Sequence, residues 1–104
     1  MLEDLTPDSF RPHVGTRFAV EVGPDGPEVT LELVDVTPVP KSGLGTREEP
    51  FSLMFHGPHE PRLVQHVFTL RHDELGALEI FLVPVAPDPS DPTSATARYE
   101  AIFN

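Results

Sequence analysis

Apolar and polar residues alternate with a period of two along most of the chain, a pattern typical of half-buried β-strands. Turn-forming stretches rich in glycine and proline separate the alternating segments. The pattern predicts six strands, at residues 16–22, 29–37, 51–55, 65–72, 77–85 and 98–103. The short connection at 73–76 predicts a hairpin between the fourth and fifth strands.

The second strand changes the phase of its alternation near its middle. Val29, Leu31 and Leu33 share one face, whereas Val34 and Val36 continue the apolar set in the opposite parity. One extra residue in a strand produces such a slip, so we predict a β-bulge near Leu33 and Val34.

The first 14 residues carry helix-start signals instead of strand periodicity. Thr6 is a suitable N-cap, Pro7 suits the first helical position and Asp8 suits the first turn. A proline and a glycine follow closely, so the helix is limited to one or two turns.

These elements predict an all-β fold in a single domain that spans 1–104. We expect a small six-stranded antiparallel barrel or sandwich at 16–104, preceded by a short N-terminal helical segment at 1–14. The short connections favour antiparallel pairing of strands that follow each other in sequence.

The fifth strand is apolar on both faces, which is unusual for a sheet with a single core. Leu78, Ile80 and Leu82 share one face. On the opposite face, Glu79 is the one charged residue and the others are apolar. Alternation in the other strands supplies further apolar candidates for the second face. The residues assigned to this second face are Met54, Val67, Phe81, Val83 and Ile102.

A second apolar face of this kind needs a cover, because large apolar patches are seldom left bare on a monomer. Two alternatives remain for what covers it. The N-terminal segment 1–14 could pack its Leu2, Leu5 and Phe10 over the face, or another protein chain could bind there.

Composition and charge remove several classes of function. The chain has 7 basic and 17 acidic residues, a formal net charge of −10, and its arginines are scattered, so we expect no nucleic-acid partner. No apolar run is long enough to span a bilayer, so we expect no membrane insertion. Residues 1–5 lack the charged and apolar regions of a signal peptide, which predicts a cytoplasmic protein, with export as part of an assembly left open. Cysteine is absent, which excludes disulfides and thiolate chemistry.

The five histidines do not match a metal-binding pattern. His56 and His59 flank a Gly-Pro turn, and His66 and His72 are too far apart on one straight strand to bind the same ion. We predict no metal, no cofactor and no catalytic residue. We expect His72 to bond to the backbone of the neighbouring turn and Tyr99 to anchor its hydroxyl on a backbone group.

Three segments, 49–58, 70–85 and 98–104, carry a resemblance to a known family. They contain Phe-Ser-Leu-Met-Phe-His-Gly-Pro, His-Asp-Glu-Leu-Gly and Tyr-Glu-Ala-Ile-Phe-Asn. The set resembles a family of short uncharacterised bacterial proteins of similar length. The resemblance implies an all-β domain that acts through contacts. Members of the family look like neighbours of phage-tail-like proteins with collar domains, which implies a small accessory or structural subunit of a tail-derived or surface assembly.

The sequence therefore favours a non-enzymatic protein-interaction or assembly subunit. We expect a protein partner or a second copy to bind at the second apolar face, or at an exposed strand edge. The alternative is a small β-barrel that binds an apolar ligand in its interior. A third hypothesis, an enzyme, would require a cleft that joins His56, His72 and a carboxylate.

Overall fold

A computed structural model describes residues 5–21, 29–39, 50–58, 63–85 and 96–103. Within them, six antiparallel strands form a closed barrel in the order β1-β2-β3-β6-β5-β4. The predicted all-β fold is confirmed, in its barrel form and with one short N-terminal helix. The strands are β1 Arg17–Glu21, β2 Val29–Pro38, β3 Phe51–Pro58, β4 His66–His72, β5 Gly76–Val85 and β6 Thr96–Phe103.

The barrel consists of two three-stranded meanders, β1-β2-β3 and β4-β5-β6. Pairing of β3 with β6 and of β1 with β4 closes the ring. Both closing pairs join strands that are distant in sequence, so pairing of sequence neighbours accounts for only part of the topology. The ring is closed, but within the described residues β5 pairs with β6 only at 83–85, opposite 98–100. Docking at an exposed strand edge therefore stays a prediction.

Alternate residues of every strand fill the interior, as the period of two predicts. Leu33 pairs with Phe55, and the next pair is Asp35 with Met54, so Val34 is the extra residue of the predicted bulge. The bulge turns Val36 towards the core. The most completely buried side chains are Phe10, Phe18, Leu31, Leu33, Phe51, Leu53, Phe55, Leu70, Leu82 and Tyr99.

The N-terminal segment closes one end of the barrel, which we call the helix end. Helix α1, Pro7–Phe10, begins at the N-cap Thr6 with proline in its first turn, as predicted, and a 3-10 turn follows at Arg11–His13. The Phe10 ring is fully buried, with centroids 5.8 Å from Phe51 and 5.9 Å from Phe103.

At the opposite end of the barrel, the residues just before β4 contact the core. Leu63 is buried, and the Leu63 backbone N–H donates a 2.9 Å hydrogen bond to the Tyr99 hydroxyl. The predicted backbone anchor of Tyr99 is thus confirmed.

Several predicted boundaries differ from the observed ones. Gly57 and Pro58 do not end the third strand: they pair with Ala97 and Thr96 and extend both β3 and β6. The predicted loops at 23–27, 41–49 and 87–95, together with Val22 and His59, lie outside the described residues.

Candidate interaction surface

The five residues that the sequence assigns to a second apolar face do lie on one side of the barrel wall. Val67 of β4 pairs with Phe81 of β5, and Val83 pairs with Glu100 of β6. Glu100 in turn pairs with Met54 of β3. The register therefore places them on the outer surface of four successive strands. We call this surface the outer apolar face; its residues are Met54, Val67, Phe81, Val83 and Ile102.

Three of these side chains expose about half of their surface. The exposed fractions are 47% for Phe81, 50% for Val67 and 54% for Ile102. Met54 and Val83 are partly buried. Exposure of a phenylalanine and two β-branched aliphatic residues on neighbouring strands has a cost in water, since apolar area contributes roughly 25 cal/mol per Å² when it is buried.

The N-terminal segment does not cover this face with the residues predicted to do so. Phe10 enters the core at the helix end, and Leu5 packs against the same core. The prediction of an intramolecular cover formed by these two side chains is therefore wrong; Leu2 lies outside the described residues. The physical reason is that the barrel end offers a deeper apolar site, between the Phe51 and Phe103 rings, than the outer wall does.

The face contains one polar pair that the sequence pattern does not reveal. Ser52 points outwards on β3 but is only 6% exposed, and its hydroxyl donates a 2.8 Å hydrogen bond to the Glu100 carboxylate. Ile102 pairs with Ser52 and so lies beside this bond. The bond fixes the Glu100 carboxylate between the apolar side chains.

Sequence analysis also missed Val64, the most exposed of the large apolar residues in the described part of the chain, at 71%. A signal was present, because Leu63 and Val64 are adjacent apolar residues at the entry to β4. Leu63 points into the core, and Val64 therefore points away from it, because successive side chains of an extended chain point in opposite directions.

The chemically richest cluster lies at the helix end, around His72. Its Nδ1 accepts hydrogen bonds from the backbone N–H groups of Glu74 and Leu75, at 3.0 and 3.2 Å, as the sequence led us to expect. Nδ1 therefore carries no proton, and Nε2 donates to the Thr16 hydroxyl at 2.9 Å. Both ring nitrogens have hydrogen-bond partners, and the ring ties the β4-β5 turn to Thr16.

The surroundings of His72 favour its neutral form. Burial lowers the pKa of His72, and the adjacent His13, whose ring centroid is 4.7 Å away, lowers it further. Glu74 and Asp73 act in the opposite direction. The neutral imidazole can make all three hydrogen bonds at once, and it thereby links Thr16, just before β1, to the turn of the β4-β5 hairpin. We call this set of bonds the His72 link.

His56 lies away from this cluster, in a shallow open cleft of about 480 Å³ on the barrel wall. The cleft lining also includes Arg17, Glu32 and Thr96. The structure therefore does not join His56 and His72 with a carboxylate, which was the requirement for the enzyme hypothesis. Among the residues that the structure describes, no group of three or more histidine, aspartate or glutamate side chains is placed to hold a metal ion.

The barrel interior is occupied by the protein's own side chains. Phe18 and Phe55 meet edge to face with ring centroids 5.4 Å apart, and both are fully buried. An apolar ligand would have to displace such side chains, as expected of a barrel with only six strands. In the described part of the chain, no helix combines the length and apolar character needed to cross a membrane.

Comparison with known proteins places the chain in a family. A domain of unknown function, DUF6916, matches residues 5–103. No curated protein and no solved structure matches the sequence. Because the match extends over nearly the whole barrel and its N-terminal cap, the chain belongs to the DUF6916 family.

Proposed function

We propose that the protein is a non-enzymatic interaction module that binds another protein chain through the outer apolar face. The observation that carries the proposal is the half-exposed row formed by Val67, Phe81 and Ile102 on adjacent strands of a closed barrel. The buried cores of protein interfaces are more apolar than the rest of the surface and enriched in aromatic residues such as phenylalanine. Burial of apolar area supplies the driving force for association.

The architecture supports this use of the face. The barrel is capped at one end by Phe10, and Leu63 is buried at the other, so the surface is not part of an unfinished core. Its side chains stand on paired strands, with Val67 opposite Phe81 and Ile102 opposite Ser52, and these pairings restrict their positions. Rigid presentation lowers the entropic cost of binding. A role as an accessory subunit of a tail-derived or surface assembly is one specific form of the proposal and rests on the family resemblance alone.

Affinity capture from the native cell lysate with two matched variants tests the proposal. Phe81→Glu places a charge in the face, whereas Val14→Glu makes the same change of charge at an exposed apolar residue of the N-terminal segment. We expect the wild type and Val14→Glu to capture the same protein in equal amounts and Phe81→Glu to capture at least tenfold less. The thermal unfolding of all three proteins checks that the fold is retained.

Two results would contradict the proposal. Phe81→Glu could retain whatever the wild type binds, or the wild type could bind nothing that depends on the face.

A further inference from the structure

Two carboxylates lie beside the outer apolar face. Glu79 lies on the same surface of β5, two residues before Phe81, and is exposed. Glu100 lies between Val83 and Met54 in the register, with its carboxylate fixed by Ser52. Two carboxylates thus flank the exposed phenylalanine, one along its own strand and one on the neighbouring strand.

The nearest arginines of these strands do not neutralise Glu79. On the outer surface of β4, Arg71 is bound to Glu21 of β1 at 2.7 Å. Arg98 lies further along β6, opposite Val85, and has contacts of its own. With Arg71 paired to Glu21, the two carboxylates Glu79 and Glu100 outnumber Arg98 on this surface. The balance of charge at the face is therefore negative, as is the formal charge of −10 on the whole chain.

A second copy of the chain is a poor occupant of this face. Two copies would together carry 2 × −10 = −20 charges, and an isologous contact would bring the same two carboxylates of each copy close to the interface. Like charges brought together across an interface cost several kcal/mol in complexes of this type.

The apolar area alone is also too small to hold a partner. Three half-exposed side chains of this size offer on the order of 300 Å², compared with roughly 800 Å² per partner in a standard interface. The remaining contact area must come from the surrounding polar residues, which include the two carboxylates.

On the basis of the proposed function, we infer that the occupant is a basic amphipathic segment of another protein. Its apolar side chains cover Phe81, Val67 and Ile102, and its lysines or arginines face Glu79 and Glu100. Rim charges of this kind mainly set selectivity and the association rate, whereas the apolar centre resists dissociation.

Two synthetic peptides of equal length with the same apolar residues test the inference. In one peptide the polar positions are lysine, and in the other they are glutamate. Binding to the 15N-labelled full-length protein is followed by amide chemical shifts at low salt. We expect the lysine peptide to shift the amides around Phe81, with an affinity that decreases as salt is added, and the glutamate peptide to shift none of them.

Matched charge variants separate local recognition from the effect of net charge. Glu79→Gln should weaken the lysine peptide by about threefold, and Glu79→Gln with Glu100→Gln should weaken it further, because glutamine keeps the acceptor for Ser52. Glu32→Gln removes the same charge from an exposed position on β2, outside the face, and should change the affinity far less.

Three outcomes overturn the inference. They are equal binding of both peptides, equal weakening by Glu79→Gln and Glu32→Gln, and no peptide-induced shift at the face. The proposed function is judged separately by the Phe81→Glu capture, which does not depend on the charge of the partner.

Discussion

At the scale of single residues, the barrel depends on side chains and glycines whose roles follow from local geometry. Gly57 faces inwards on β3, and a Cβ placed there would clash with Leu31 Cδ2. Gly76 begins β5 with φ of +79°, a left-handed conformation that favours glycine, and it has open space around it. One glycine is required for space and the other for backbone conformation.

We expect Gly57→Ala to lower the free energy of unfolding by about 1–3 kcal/mol, because the methyl group overpacks the core against Leu31. Urea unfolding measures the loss. Leu31→Val removes the clashing δ carbons, so the double variant should lose less than the sum of the two single variants. Strictly additive losses would contradict the close approach.

Protonation of His72 should destabilise the protein. A proton on Nδ1 would face the N–H groups of Glu74 and Leu75 and repel them. Burial and the adjacent His13 also disfavour the charged ring, and the carboxylates of Glu74 and Asp73 offset this only in part. Because folding lowers the pKa of His72 below its usual 6.5, this stabilisation is fully present above that pH. It declines as the pH falls from 6.5 towards the lowered pKa.

The melting temperature measured between pH 7.5 and 5 checks this expectation. The wild type should lose stability below pH 6.5, and His72→Asn, whose side-chain oxygen can still accept from the turn, should lose less. His56→Asn, on the outer wall, is the control and should follow the wild type. If His72→Asn and the wild type lose melting temperature equally as the pH falls, protonation of His72 is not the cause and the His72 link is contradicted.

At the scale of elements, the two barrel ends are closed by connections rather than by strands. The Tyr99 hydroxyl is the acceptor for the Leu63 N–H at one end, and Phe10 fills the other. Each contact ties a segment outside the sheet to the sheet itself.

Tyr99→Phe should cost about 1–3 kcal/mol, because it keeps the ring but leaves a buried N–H without its acceptor. Amide hydrogen exchange should become faster at Leu63 and stay unchanged in the turn around His72. Uniformly faster exchange, or no change at Leu63, would contradict an anchor confined to this end.

Phe10→Ala should cost about 3–5 kcal/mol, as expected for removal of a buried aromatic ring. Val14→Ala, four residues away and 43% exposed, should change stability by less than about 0.5 kcal/mol. Denaturant unfolding of the two variants gives the comparison. Equal losses of unfolding free energy in the two variants would mean that the Phe10 ring does not fill the end of the barrel.

Alternation in the sequence reveals which residues face inwards, because the direction of a strand side chain is a local property with a period of two. It predicted the bulge at Val34 and the shared surface of Phe81, Val67 and Ile102. It could not show that β3 pairs with β6, because that pairing joins residues far apart in sequence, from Pro58 with Thr96 to Phe51 with Phe103. The position of Phe10 depends on the same long-range closure.

At the scale of the whole molecule, the described residues form a closed barrel with an apolar patch on its wall, beside the carboxylates of Glu79 and Glu100. The interior gives stability, and the ends hold the N-terminal segment and the β3-β4 connection. The outer apolar face has no structural task of this kind in the described part of the chain. This separation supports the proposed interaction role of the outer apolar face.

Site-specific photo-crosslinking in the producing cell tests this claim most directly. A photoreactive phenylalanine analogue is placed singly at Val67 or Ile102 in the face, and at Val14 or Thr30 outside it. We predict that both face positions crosslink to the same protein and that the two outside positions do not. Equal crosslinking at all four positions, or none from the face, would contradict the account.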